Sequence, residues 1–196
     1  MKKTKNNIDW DKVYLLNYEN KAFRDIHWLG KAKELIKTAN LIEPILNQVW
    51  ESVINNKRDC TKIEYNYYSG TYFMLIAFAF ENIFKAMIIR NKLNYYKCMF
   101  RETNKFPKEL QSHKLIELAK KSGFKYNFEQ EDLLRRLTRS AIWFGRYPIP
   151  LSFRDSKSIE LYEDGKKYKT DWFGSDDLNR VTRMIDHLKE YFKIDL

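Results

Sequence analysis

The longest apolar stretch of the chain is Thr71–Arg90, TYFMLIAFAFENIFKAMIIR, and its polar interruptions come at helical spacing. Glu81 and Lys85 stand four residues apart, so on a helix they share a face and can pair. Met74, Phe78 and Ile88 fall on that same face. An ion pair inside an apolar stripe is costly unless its charges are satisfied. Two readings follow: the pair fixes the packing of a central core helix, or it sits beside a functional cleft.

The rest of the pattern is helical almost throughout. Leu35, Ile36, Ala39, Ile42, Leu46, Val49 and Val53 recur at three- and four-residue steps, which predicts a helix over about Trp28–Asn55. Pro44 is expected to kink or divide it. Asn55–Lys62 reads as a polar connection, and the central helix is expected to run from near Ile63 or Tyr65 to about Leu93. Asn94–Gln111 reads as a loop with a short helical turn. Ser112 is expected to cap a helix over His113–Lys121 that stops at Gly123, which gives His113 a capping role. Asn127 and Gln130 have capping-box spacing at the head of a helix reaching about Phe144 and ended by Gly145 and Pro148. Ser158–Thr170, SIELYEDGKKYKT, predicts a β-hairpin turning at Asp164-Gly165, with Glu163 opposite Lys166, Leu161 opposite Tyr168 and Glu160 opposite Lys169. Ser175 is read as the N-cap of a last helix to about Phe192. Residues 1–20 read as a partly mobile start with a short packed segment. The expected fold is one all-α domain over 1–196: a bundle of four to five main helices, with a small β-hairpin appendage at 151–174 before the last helix.

Composition adjusts this picture in three ways. With 196 residues and 44 % hydrophobic positions, the chain can bury a real core. A net charge of +10 favours anionic partners such as nucleic acid. Part of that excess is discounted, because a chain rich in Lys, Asn, Ile and Tyr also reflects AT-rich coding. The aromatic residues at Tyr65, Tyr67, Tyr68, Tyr72 and Phe73 are read as core or interface packing in preference to base stacking. Cys60 and Cys98 lie in unrelated contexts without metal-ligand spacing, so no metal and no cofactor is expected, and a reducing cytoplasm is. The start MKKTKNNIDW lacks the apolar run of a signal peptide. The apolar run Tyr72–Phe80 is broken by Glu81 and Asn82, so no membrane span is expected.

Three blocks in order, FAFENIFKAMII, SHKLIELAKKSGF at Ser112–Phe124 and AIWFGRYPIP at Ala141–Pro150, resemble one lineage of the HEPN superfamily. Those proteins are small helical bundles of prokaryotic toxin–antitoxin and phage-defence systems. The resemblance implies RNA as a partner, a homodimer with a site across its two-fold axis, and a protein partner or antitoxin. It also implies metal-independent RNA cleavage by an Arg and a His of a late helix, with the ribose 2′-hydroxyl as nucleophile. Arg180 and His187 match that pair with six residues between them, almost two helical turns. Histidine can exchange a proton near neutral pH, and a guanidinium can stabilise phosphate charge. Val181 follows the arginine where the family has a polar residue, and Arg183 also lies one turn before His187. The competing reading is a non-catalytic HEPN-like interaction module. Arg135, Arg139 and Arg146 share a helical face and are the candidate nucleic-acid contacts. Arg146 also has a structural reading, bonded to chain-end carbonyls or to Glu81.

Overall fold

A computed structural model of the protein describes residues 9–55, 64–150, 152–170 and 172–196. The expectations for residues 1–8, for the connection 56–63 with Cys60, and for the side chains of Val53, Tyr65 and Tyr67 lie outside the described residues. The described residues form seven α-helices and a two-stranded antiparallel sheet. The helices are α1 (Trp10–Ala22), α2 (Asp25–Asn55), α3 (Glu64–Asn91), α4 (Leu93–Thr103), α5 (Leu115–Ser122), α6 (Phe128–Arg139) and α7 (Asp176–Phe192). The strands are β1 (Ile159–Glu163) and β2 (Lys166–Thr170).

The apolar stretch of α3 is the axis of the bundle. Every residue from Ile83 to Ile89 is buried, so the helix is wrapped on all sides rather than presenting one stripe. α2 lies along it, and α5, α6 and the turn after α6 close the remaining faces. The segment Tyr68–Asn91 is long and apolar enough to cross a membrane, and 78 % of its most apolar window is buried inside the molecule.

Local chemistry sets several boundaries as the sequence implied. Asn127 accepts from the Gln130 backbone N–H while the Gln130 side chain accepts from the Asn127 N–H, closing the capping box. Gly123 ends α5 at φ 84°, a left-handed position that costs glycine nothing. The hairpin pairs Glu163 with Lys166, Leu161 with Tyr168 and Glu160 with Lys169, and Asp164 and Gly165 take positive φ in its turn. The Glu160 carboxylate nevertheless meets Lys167, at 2.6 Å.

Other boundaries differ. α2 continues through Pro44 undivided. The start is not merely a short packed segment: α1 is a thirteen-residue helix. Glu19 ties it to Arg101 of α4 at 2.7 Å, and Tyr18 stacks on Phe100 with ring centroids 5.2 Å apart. Much of the expected loop after Leu93 is helix α4, which buries only Tyr96 and Phe100, one turn apart. Ser112 accepts from the Lys114 N–H rather than from inside the helix, and α5 starts at Leu115. At α7 the Ser175 side chain makes no capping bond; Asp177 instead accepts from the Gly174 N–H at 2.8 Å.

α6 passes into a π-helical turn at Ser140–Phe144, where the Gly145 N–H reaches back to the Ser140 carbonyl. Such turns hold one extra residue and recur at functional sites. Gly145 then packs flat against α3: a Cβ there would meet Met74 and lie 2.8 Å from the Gly70 carbonyl oxygen.

Candidate functional site

Arg180 and His187 both stand on α7, but each is taken up by different neighbours. Arg180 lies 2.9 Å from Asp132, 3.1 Å from Asp177 and 3.2 Å from Glu129, and it donates to the Glu129 carbonyl oxygen. It is therefore paired with three carboxylates, on α6 and on its own helix, and not with Asp176. Arg183 takes the outer side of Glu129 at 2.9 Å. His187 accepts at Nδ1 from the Gln130 amide, 2.7 Å away. The capping box fixes that amide's orientation, so its NH₂ faces the ring and the imidazole proton sits on Nε2. The ring packs beside Phe124 and Tyr191. Among the described residues no hydrogen bond or ion pair joins Arg180 to His187.

Beneath Arg180 lies a buried charge knot. The Arg136 guanidinium, 2 % exposed, bonds Asp132 and both oxygens of Asp177, donates to the Trp172 carbonyl oxygen, and stands 4.9 Å over the Phe173 ring. Burial pushes the Asp177 carboxyl up, but the Arg136 hydrogen bonds and charge, the Gly174 N–H and Arg180 outweigh it. The carboxyl is left below the ordinary aspartate value. This knot joins α6, α7 and the chain following the hairpin, which makes its role architectural.

Glu81 and Lys85 pair inside the core at 2.7 Å. The second Glu81 oxygen is 2.9 Å from Nδ1 of His113, whose side chain is 57 % exposed, and Lys85 lies 5.8 Å from the Trp28 ring centre. His113 is thus no cap for α5. It is the outward end of a Lys–Glu–His chain running from the core to the surface.

The three arginines assigned to nucleic acid divide. Arg135 and Arg139, one turn apart on α6, line a groove of about 380 Å³ with Lys114 and Glu117 of the α5 side and Ile159 of β1. Arg135 pairs with Glu131, Lys114 pairs with Glu117, and Arg139 donates to the Lys157 carbonyl oxygen. Arg146 stays apart, donating to the Ala141 and Ile142 carbonyl oxygens at 2.7 and 2.6 Å, an end cap for the π turn.

Arg139 also borders a second cavity, of about 250 Å³, walled by Trp143, Phe144, Trp172 and Phe173 and closed by Pro148–Pro150. Trp172 is 71 % exposed at this site. The π turn brings Trp143 and Phe144 there, and the Arg136–Trp172 bond holds the opposite wall. Among the described residues no cluster of three metal-ligating side chains occurs.

No family model, no curated protein and no solved structure matches the chain. Sequence reasoning missed Lys114 and the aromatic cavity, and it assigned His113 to the wrong partner. The unsatisfied Glu81–Lys85 pair was the one sequence signal that could have pointed to His113, since a buried carboxylate needs donors on both oxygens.

Proposed function

We propose that the protein is an RNA-binding HEPN-like bundle that does not cleave RNA at Arg180 and His187. One observation carries the reading: Lys114, Arg135 and Arg139, from two different segments, line a single groove. Lys114 and Arg135 pair there with surface carboxylates, and exposed pairs of this kind are worth at most about 1 kcal/mol, so phosphates can replace them. The aromatic cavity sharing Arg139 offers a surface on which an unpaired base can stack. Against cleavage stand the three carboxylates around Arg180 and the amide on His187 Nδ1. A guanidinium so paired is not offered to a phosphate, and His187 keeps one ring nitrogen for Gln130.

The remainder of the proposal rests on the family resemblance: a homodimer, working in the cytoplasm of a prokaryote in a defence or toxin–antitoxin setting, beside a protein partner or antitoxin. The long apolar helix is read as the core of that bundle and not as a membrane span.

Fluorescence anisotropy with labelled single-stranded RNA, in chelator, tests the reading. Binding should weaken steeply with salt, and Arg139→Ala should lower affinity and reduce the salt slope by about 0.7 for each phosphate no longer neutralised. The RNA should remain intact on gels. Absence of binding at low salt would reject RNA as the partner, and cleavage abolished by His187→Ala would restore the nuclease.

A further inference from the structure

We propose that His113 is a nucleophilic histidine that accepts a phosphoryl group at Nε2. The geometry begins in the core. Lys85 and Glu81 are both buried, at 4 % and 6 % exposure, and their contact of 2.7 Å fixes the carboxylate. One carboxylate oxygen is used by Lys85, and the other faces His113 Nδ1 at 2.9 Å. A carboxylate can only accept, so the shared proton lies on Nδ1. That tautomer places the ring's lone pair on Nε2, on a side chain more than half exposed.

The other two histidines lack this arrangement. His187 spends its Nδ1 lone pair on Gln130 and carries its proton on Nε2. His27 is exposed, and its ring has no partner among the described residues. Of the three, His113 combines an Nδ1 proton held by a buried carboxylate with a side chain that is more than half exposed.

The step balances with a phosphoryl donor, such as a phosphoramidate or an acyl phosphate, as co-reactant. The Nε2 lone pair forms the N–P bond, and the bond from phosphorus to the leaving group breaks with its electron pair going to that group. Nδ1 keeps its proton throughout, so a positive imidazolium forms, and the Glu81 carboxylate lies against it to stabilise that charge. Neither the arginine groove nor the aromatic cavity includes His113, which suits a group modified by a donor that brings its own binding pocket. This inference is independent of the RNA reading.

The test uses the full chain and potassium phosphoramidate, read by intact mass and by mapping of acid-labile phosphate. His113 should be phosphorylated about ten- to a hundredfold faster than His27 in the same molecule, because a carboxylate behind the ring fixes its orientation and stabilises the charge that forms. Phosphorus–nitrogen NMR couplings should place the group on Nε2. Glu81→Gln, with its helical circular dichroism retained, should slow His113 to the rate of His27. If that variant does not fold, the comparison within the wild-type chain decides. Equal rates at His113 and His27, or phosphate on Nδ1, would overturn the proposal.

Discussion

Glu81 divides its carboxylate between two elements, giving one oxygen to Lys85 in its own helix and the other to His113 in the segment before α5. The two partners are not equivalent. Lys85 is sealed in the core, whereas water reaches His113. Lys85→Met should therefore cost about 3–5 kcal/mol by stranding a buried carboxylate. His113→Ala should cost less, about 1–3 kcal/mol, for one unmade hydrogen bond. Urea unfolding of both variants, of Glu81→Gln and of the Glu81→Gln/Lys85→Met pair measures the order and the coupling. The double variant should recover part of the Lys85→Met loss, and a loss equal to the sum of the singles would disprove the coupling.

Among the described residues, Arg136 is the cation that bonds both Asp132 and Asp177 from inside the knot while also holding the Trp172 carbonyl oxygen. Arg136→Met should destabilise by about 3–5 kcal/mol, because two buried acids lose their main counter-charge. Arg136→Lys should also be destabilising, since an ammonium cannot reproduce the fork that bonds both oxygens of Asp177. Thermal melts followed by helical circular dichroism give the comparison; a neutral Lys variant would refute the geometric account.

Asp177 and Glu19 give the molecule an acid limit. Burial works against Asp177 ionising, but Arg136 and its neighbours overcome this and hold its carboxyl low. A hydrogen bond from Arg101 lowers Glu19. A carboxyl lowered in the folded state contributes stability that is complete above its unfolded value and is lost as pH falls through the folded one. Stability should thus be level near neutrality and decline below about pH 4. Glu19→Gln should flatten part of that decline, as read by denaturant midpoints at a series of pH values. A slope identical to wild type would remove Glu19 from the account.

Gly145→Ala tests a steric contact. The glycine has φ −81°, which any residue adopts, so the expected cost is not conformational. An added methyl would press on Met74 and on the Gly70 carbonyl oxygen. A loss of about 1–3 kcal/mol should follow, and Met74→Ala in the same chain should relieve part of it. Chemical denaturation of the single and double variants supplies the cycle.

The fold was most legible where local backbone chemistry decides it. Asn127–Gln130, Gly123 and Asp164-Gly165 each announce a cap or turn through residues within three positions of one another. α1 was not legible because it exposes Trp10, Tyr14, Leu15, Leu16 and Tyr18 and buries Glu19, the reverse of an amphipathic pattern. α4 hides only two side chains, too few to set a period. In the site, Arg135 and Arg139 could be matched because one helix carries both. His113 could not be matched to Glu81, 32 positions away, since no local spacing encodes a contact made by the packing of separate elements.

The π turn at Ser140–Phe144 makes this corner sensitive to residue count as well as residue type. Its closing bond spans five positions, from Gly145 to Ser140. Deleting one residue would return the turn to α spacing and remove the extra position on which this corner is built. The bond from Gly145 to Ser140 would be lost, and the Ala141 and Ile142 carbonyls that Arg146 caps would be paired anew. Related chains that keep this corner should therefore vary here by substitution and hold their length fixed, with insertions and deletions displaced to the hairpin, where a change of two residues leaves the phase of α6 untouched.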